Sequence, residues 1–226
     1  MNNKMIVLVP TRGRPQNAID LLEQHKLHSK VSDIIFIVDD NDPQAGEYFE
    51  ALGHFYMWKV PNESRGMAKP LNYVASALAK ENKYEFFCFL GDDHRPRTDA
   101  WDERLIQAGK TPPAIVYGND LLQGDRLPTM VVMSAEIVTA LDGMVPPGMR
   151  HLYLDNFWKK LGEDLGSLKY VHDVIVEHMH PLAGKSQWDE GYREVNSQVI
   201  YHEDAIAFDA YIKSEQYQNL LEKLRK

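Results

Sequence analysis

The chain opens on an apolar run, "KMIVLVP" (4–10), closed by a proline; its length and β-branched content predict a buried parallel strand. A helical pattern follows over 14–29, with Pro15 in its first turn and Ile19, Leu22 and Leu27 forming an apolar stripe. "DIIFIVDDND" (33–42) predicts a second strand that stops at acidic residues, 43–53 a short helix capped by Gly53, and 55–61 a third strand. A helix over 66–82, with Pro70 near its start, leads to a fourth strand over 84–93, "YEFFCFLGDD". The second half predicts a strand at 113–120, a strand and then a helix within 127–144, a loop into a helix over 146–166, a strand over 168–181 and an amphipathic helix over 214–226. Residues 182–200 are the most loop-like section.

Strands alternating with helices predict an α/β fold, a mostly parallel central sheet with helices on both faces and right-handed crossovers. Ligands of such sheets bind beyond the carboxyl ends of the strands. Three of the first four strands end in polar text, "PTRGRP", "DDND" and "GDDHRPR", so these ends should converge on one edge.

A length of 226 residues suits a single domain, divided into halves at 1–98 and 99–226. The net charge of −8 gives no overall basic footprint for nucleic acid, although Arg95, Arg97, Arg104, Arg126 and Arg150 could form a local patch. The lone cysteine, Cys88, excludes an internal disulfide framework and a cysteine zinc cluster, and lies in a run that reads as core. The first apolar run is too short for a signal-peptide core or a membrane span, which points to a soluble, cytoplasmic protein without membrane partners.

Adjacent carboxylates repel and resist desolvation, so Asp92 and Asp93 at a strand tip need a neutralising neighbour. A divalent cation, a basic side chain and water are the candidates. Mg²⁺ takes carboxylate oxygens, and Mn²⁺ accepts imidazole as well. In "VEHMHP", strand alternation would put His178 and His180 on one face, where either could complete a metal site. Arg65 and Lys69, with Arg12 and Arg14, could meet phosphates at loop ends and a helix start. Neither a P-loop nor a Gly-x-Gly-x-x-Gly pattern is present. Asp155 at a loop-to-helix junction reads either as a helix N-cap or as a general base. His94 carries no assignment.

Taken together, "VPTRGRP", "IVDDND", "RGMAKPLNYV", "FLGDDHRP", "LDNFW" and "EHMHPLAGKSQWDEGY" resemble, in order and spacing, the GT-A-fold nucleotide-sugar-dependent glycosyltransferases near family 2, of the phage and bacterial type. The resemblance covers nearly the whole chain. It implies a nucleoside-diphosphate sugar donor, a UDP-sugar first, with Mn²⁺ or Mg²⁺ as cofactor. Pro10, Thr11 and Arg12 would meet the donor's base and ribose, and Asp39 would bond the base. Gly66, Lys69 and Asn72 would line the nucleotide pocket. Asp93 would ligate the metal, with Asp92 a ribose or metal contact, although Gly91 stands where the family's Asp-x-Asp motif has its first aspartate. Asp155 would be the base of an inverting transfer, His180 or His178 the late metal ligand, and Lys185, Asp189 and Tyr192 part of a loop closing over the donor. The acceptor stays open between a hydroxymethylpyrimidine in phage DNA and a glycan, as does the oligomeric state. A sugar-nucleotide nucleotidyltransferase, a non-catalytic nucleotide-sugar-binding module and a phosphoacceptor receiver are the competing readings.

Overall fold

In the computed structural model, residues 4–61, 66–188 and 190–226 are described. Among the described residues, eight strands form one sheet in the order β3-β2-β1-β4-β7-β6-β8-β5. The first half supplies β1 (Met5–Thr11), β2 (Ser32–Asp39), β3 (Met57–Val60) and β4 (Phe86–Phe89), all paired in parallel. The second half supplies β6 (Ile115–Asn119), β7 (Val131–Ser134) and β8 (Leu168–His178). β7 joins the halves by pairing antiparallel with both β4 and β6, and β8 lies parallel to β6.

Alternation along the strands divides the core between the two faces of this sheet. Met5, Val7, Val9, Phe36, Val38 and Cys88 point to one face, against α1 (Pro15–His28), α2 (Ala45–Leu52) and α4 (Trp101–Ala108). Ile6, Leu8, Ile37, Phe87 and Phe89 point to the other, against α3 (Ala68–Lys80), α5 (Ala135–Leu141), α6 (Leu154–Asp164) and α9 (Glu215–Leu224). Each such side chain contributes about 1.5–3 kcal/mol when fully buried, which is why β1 and β4, buried on both faces, carry near-continuous apolar text. Trp158 closes the second face, its indole N–H donating to the Met144 carbonyl at 2.7 Å.

The pattern and the structure differ in several places, α4 among them, which the pattern did not predict. β4 ends at Phe89, short of the expected 93, and the chain turns so that His94–Pro96 forms an edge strand, β5, antiparallel to the end of β8. β8 ends at His178, because Pro181 starts a short 3-10 turn and the alternation does not reach His180. α6 begins one residue before Asp155, so its N-cap is Tyr153, whose side chain makes no capping bond. The stretch expected to be loop holds α7 (Glu190–Val195) and the start of α8 (Gln198–Ile212). Among the described residues, no helix is long and apolar enough to cross a membrane.

Candidate active site

The carboxyl ends of β1, β2 and β4 meet at one edge, and the turn after β4 is its centre. The Gly91 N–H donates to His94 Nδ1 at 3.0 Å, and the His94 N–H to the Gly91 carbonyl, also at 3.0 Å. A Cβ at Gly91 would lie 2.6 Å from Asp93 Oδ1 and 3.1 Å from His94 Nδ1. Glycine here makes room for the two side chains that fold back over the turn.

The two aspartates face different neighbours. Asp92 Oδ2 accepts from Thr11 Oγ1 at 2.7 Å, and its Oδ1 lies 3.5 Å from both Arg14 Nη1 and Asn17 Nδ2. Thr11 also meets Tyr48 Oη at 2.9 Å, and the Arg14 N–H donates to that same oxygen at 2.7 Å. Burial raises the Asp92 carboxyl above the ordinary range; Arg14 opposes the shift and the neighbouring Asp93 adds to it. Burial works on Asp93 in the same direction, but His178 and His94 more than offset it and hold this carboxyl well below the usual range. Asp93 Oδ2 lies 3.1 Å from His178 Nε2, and its Oδ1 lies 3.4 Å from His94 Nδ1. The two imidazoles stack at 4.3 Å because β5 and β8 put His94 opposite His178. His178 is pushed up to about 9: burial disfavours its charge, and Asp120 and Asp93 overcome that.

The segment after β8 folds back over this pair. Tyr192 of α7 donates its hydroxyl to Asp93 Oδ2 at 2.5 Å, and the Arg14 guanidinium sits 3.8 Å above its ring. Lys185 pairs with Glu177 at 2.8 Å. His180 Nδ1 accepts from the Leu182 N–H at 3.1 Å, capping the 3-10 turn, and its ring meets those of His178 and Tyr192 edge to face. A cleft of about 580 Å³ opens between this segment and the start of α1, lined by Arg14, Asn17, Gln44, Ser186 and Tyr192 among others. A second, of about 350 Å³, reaches Asp93 past Asn17, Asp20, Arg95 and Lys185.

On the remaining side, Asp155 stands in the first turn of α6. Its carboxyl is raised by burial, and both the Asn156 N–H and the charge of His178 moderate the shift. The loop before it is held by Asp204 of α8, which is fully buried and accepts from the N–H groups of Arg150, His151 and Leu152 at 2.7–2.9 Å. His151 in that loop is lowered to about 4, chiefly by burial, and feels the charges of Arg14 and Asp93.

Of the residues singled out in the sequence, the structure therefore brings together Thr11, Asp92, Asp93, His178 and Tyr192, with Asp155 within electrostatic reach. Pro10 lies on β1 beside them, and Arg12 at its end pairs with Asp39 at 2.9 Å and with Asn41 Oδ1 at 2.6 Å. Gly66 sits against the Arg150 backbone at φ +145°, where a Cβ would come within 2.7 Å of the carbonyl oxygen. Lys69 is exposed on α3. Asn72 has its amide committed to the backbone, donating to the Val145 carbonyl and accepting from the Met144 and Val145 N–H groups. Arg65 and Asp189 lie outside the described residues. The five arginines of the suggested basic patch all have protein partners: Arg95 bonds the Asp92 and His94 carbonyls, Arg97 pairs with Glu177, Arg104 with Asp173 and Arg150 with Glu203, and Arg126 bonds the Leu122 and Gln123 carbonyls. Sequence reasoning missed His94, Asp120, Tyr48 and Asp204. A histidine next to the paired aspartates was the one visible signal.

These donors fit a divalent cation. Asp93, His94 and His178 each offer a ligand atom, all within 4.8 Å of one another, and theirs is the one such group among the described residues. His94 Nε2 and His178 Nδ1 are buried with no hydrogen-bond partner. One carboxylate with imidazole suits Mn²⁺. His180 falls outside the group.

None of the known protein-family models matches the chain, and no curated protein sequence matches it. Solved structures do. The mannosyltransferase PcManGT from Pyrobaculum calidifontis, solved with GDP-Man and Mn²⁺, superposes with a TM-score of 0.66 at 11% identity, over 100% of this chain and 70% of that one. Glucosyl-3-phosphoglycerate synthase from Mycobacterium tuberculosis, solved with Mn²⁺, UDP-glucose and phosphoglyceric acid, gives 0.62 at 13% identity, over 92% and 80%. TarS 1–349 from S. aureus in complex with UDP gives 0.57 at 12% identity, over 95% and 73%. At these identities the likeness is one of fold: the chain has the GT-A architecture that these sugar-nucleotide glycosyltransferases share.

Proposed function

We propose that the protein is a cation-dependent glycosyltransferase that moves a sugar from a nucleoside-diphosphate sugar to an acceptor hydroxyl, with inversion at the anomeric carbon. The observation that carries this is the pairing of Asp93 with His178, beside Asp92, at the carboxyl ends of the parallel strands of a GT-A sheet. The donor's base and ribose lie against Pro10, Thr11, Arg12 and Asp39, with Gly66 and Lys69 on the facing side. Asn72 holds that side in place through its three backbone bonds. Asp93 and His178 would hold a Mn²⁺ or Mg²⁺ ion, which would supply positive charge against that developing on a departing diphosphate.

The chain's own groups do the rest. Arg14 adds positive charge beside Asp92. Asp155, raised by burial, is a stronger base than an ordinary carboxylate. It takes the acceptor's proton as the oxygen bonds to the anomeric carbon, and the bond from that carbon to the diphosphate oxygen breaks. Lys185 and Tyr192, on the segment that folds over the site, keep water from the donor. A thermal-shift panel of UDP- and GDP-sugars, with and without Mn²⁺, tests the reading. A stabilisation by one sugar nucleotide that needs Mn²⁺, with slow release of its free sugar at inverted configuration, is expected; no response to any of them refutes it.

A further inference from the structure

Asp120 follows the last residue of β6 and is 2% exposed. Its Oδ1 accepts from the N–H groups of Leu122, Gln123 and Gly124 at 3.0, 2.7 and 2.8 Å. Its Oδ2 accepts from Thr129 Oγ1 at 2.7 Å, and its backbone carbonyl accepts from the His178 N–H at 2.9 Å. This is a carboxylate that cannot swing away. Its Oδ2 stands 3.9 Å from His178 Nδ1, an ion pair at a distance too long for a hydrogen bond. That Nδ1 is buried with no hydrogen-bond partner. The opposite nitrogen of the same ring, Nε2, faces Asp93 at 3.1 Å, and the ring's flat side is fixed by its stack on His94.

His178 is thus held edge-on between two carboxylates with different surroundings. Asp93 borders the cleft, whereas Asp120 is locked behind the ring. An imidazole can hold a cation through Nε2 only if its remaining proton is on Nδ1, and a carboxylate behind the ring is the usual device for keeping it there. The turn does not account for the charge of Asp120. Oδ1 alone serves the three backbone donors, which the amide oxygen of asparagine would serve equally, and Thr129 can donate or accept. What an amide cannot supply is an anionic acceptor facing Nδ1.

From this arrangement we infer that Asp120 is a positioning residue for the cation: it orients His178, keeps the proton on Nδ1 and so presents Nε2 towards Asp93. The inference rests on reading the Asp93–His178 pair as the cation site of the proposed transferase, and it adds a residue that touches neither donor nor cation.

Mn²⁺ titration of the full chain without nucleotide, followed by electron paramagnetic resonance, tests it. Asp120→Asn is expected to weaken Mn²⁺ binding about 10- to 100-fold. Thr129→Val, which disturbs the same turn but keeps the carboxylate, should stay within about threefold of the unsubstituted protein. An Asp120→Asn affinity within about threefold, or an equal loss in Thr129→Val, overturns the inference while leaving the transferase reading intact. Absence of Mn²⁺ binding in the unsubstituted protein overturns both. Because Asp120→Asn could fail to fold, nitrogen-15 NMR of the unsubstituted protein loaded with diamagnetic Zn²⁺ gives an independent result. The proton of His178 is expected on Nδ1 with the metal on Nε2, and the reverse arrangement refutes the assignment.

Discussion

The two walls of the site are built on different terms. On the wall made by β1, β2 and α2, the buried polar groups have partners within the protein: Thr11 bonds Asp92 and Tyr48, Arg12 bonds Asp39 and Asn41, and Asp42 takes the Gly13 and Gln44 N–H groups. On the wall made by β5, β8 and α7, donors and acceptors are out of balance. Buried ring nitrogens of His94 and His178 lack partners, and Asp93 Oδ2 serves both His178 and Tyr192. Leaving a buried polar atom unpaired costs about 1–3 kcal/mol, so this wall is less completely satisfied than the other. The paired wall is a fixed seat, and the unbalanced wall carries the Asp93, His94 and His178 group to which the proposed reading gives the cation.

Substitutions separate the two. Asp93→Asn on the unbalanced wall is expected to abolish Mn²⁺ binding and lower transfer about a thousandfold or more, read by titration and a coupled transfer assay. Asp155→Asn should lower transfer about 10²- to 10⁴-fold and leave donor and Mn²⁺ affinity unchanged, which distinguishes a base from a binding residue.

Part of the fold's acid sensitivity is expected to come from a residue remote from both walls. His25, buried on α1, meets Ser32 Oγ at 3.0 Å and is lowered to about 4, chiefly by burial. The unfolded chain binds a proton near pH 6.5, whereas the folded one does so only near 4. The contribution of His25 should therefore be complete above 6.5 and be lost as pH falls towards 4, on the order of 3 kcal/mol, and His25→Gln should make the decline over that range shallower in denaturant titrations, with His151 supplying part of the remainder. On the paired wall, Thr11→Val should cost about 1–3 kcal/mol of stability by leaving Asp92 and Tyr48 each a partner short, with little change in Mn²⁺ affinity. Tyr192→Phe has the smallest expected effect. It keeps the ring under Arg14 and removes the hydroxyl from Asp93, which should tighten Mn²⁺ binding by up to about tenfold.

The same contrast explains what could be read from the chain. On the paired wall Thr11, Arg12 and Asp39 were legible because they stand at the ends of apolar runs, and in a parallel sheet those ends share an edge; Tyr48, on helix α2, was not. Asp93 and His178 could be found separately for the same reason. His94 could not, because its place beneath His178 depends on a three-residue edge strand pairing across the fold. Asp120 and Asp204 were hidden because they act on backbone N–H groups, a role no side-chain pattern announces. α8 escaped because its apolar residues surround the helix without forming a stripe, with Val199 and Ile206 exposed and Ile200 buried. Asp155 was located, but the αL conformation of Tyr153, φ +60°, moved the helix start ahead of it.

The most direct test is calorimetric titration of UDP-glucose and of GDP-mannose into the protein, first with Mn²⁺, then after chelation, and then into Asp93→Asn. The expected result is saturable binding of at least one of the two in Mn²⁺, weakened about tenfold or more by chelation and by the substitution alike. Failure of both to bind, or binding indifferent to chelation and to Asp93→Asn, would contradict a cation-dependent sugar-nucleotide site at Asp93 and His178.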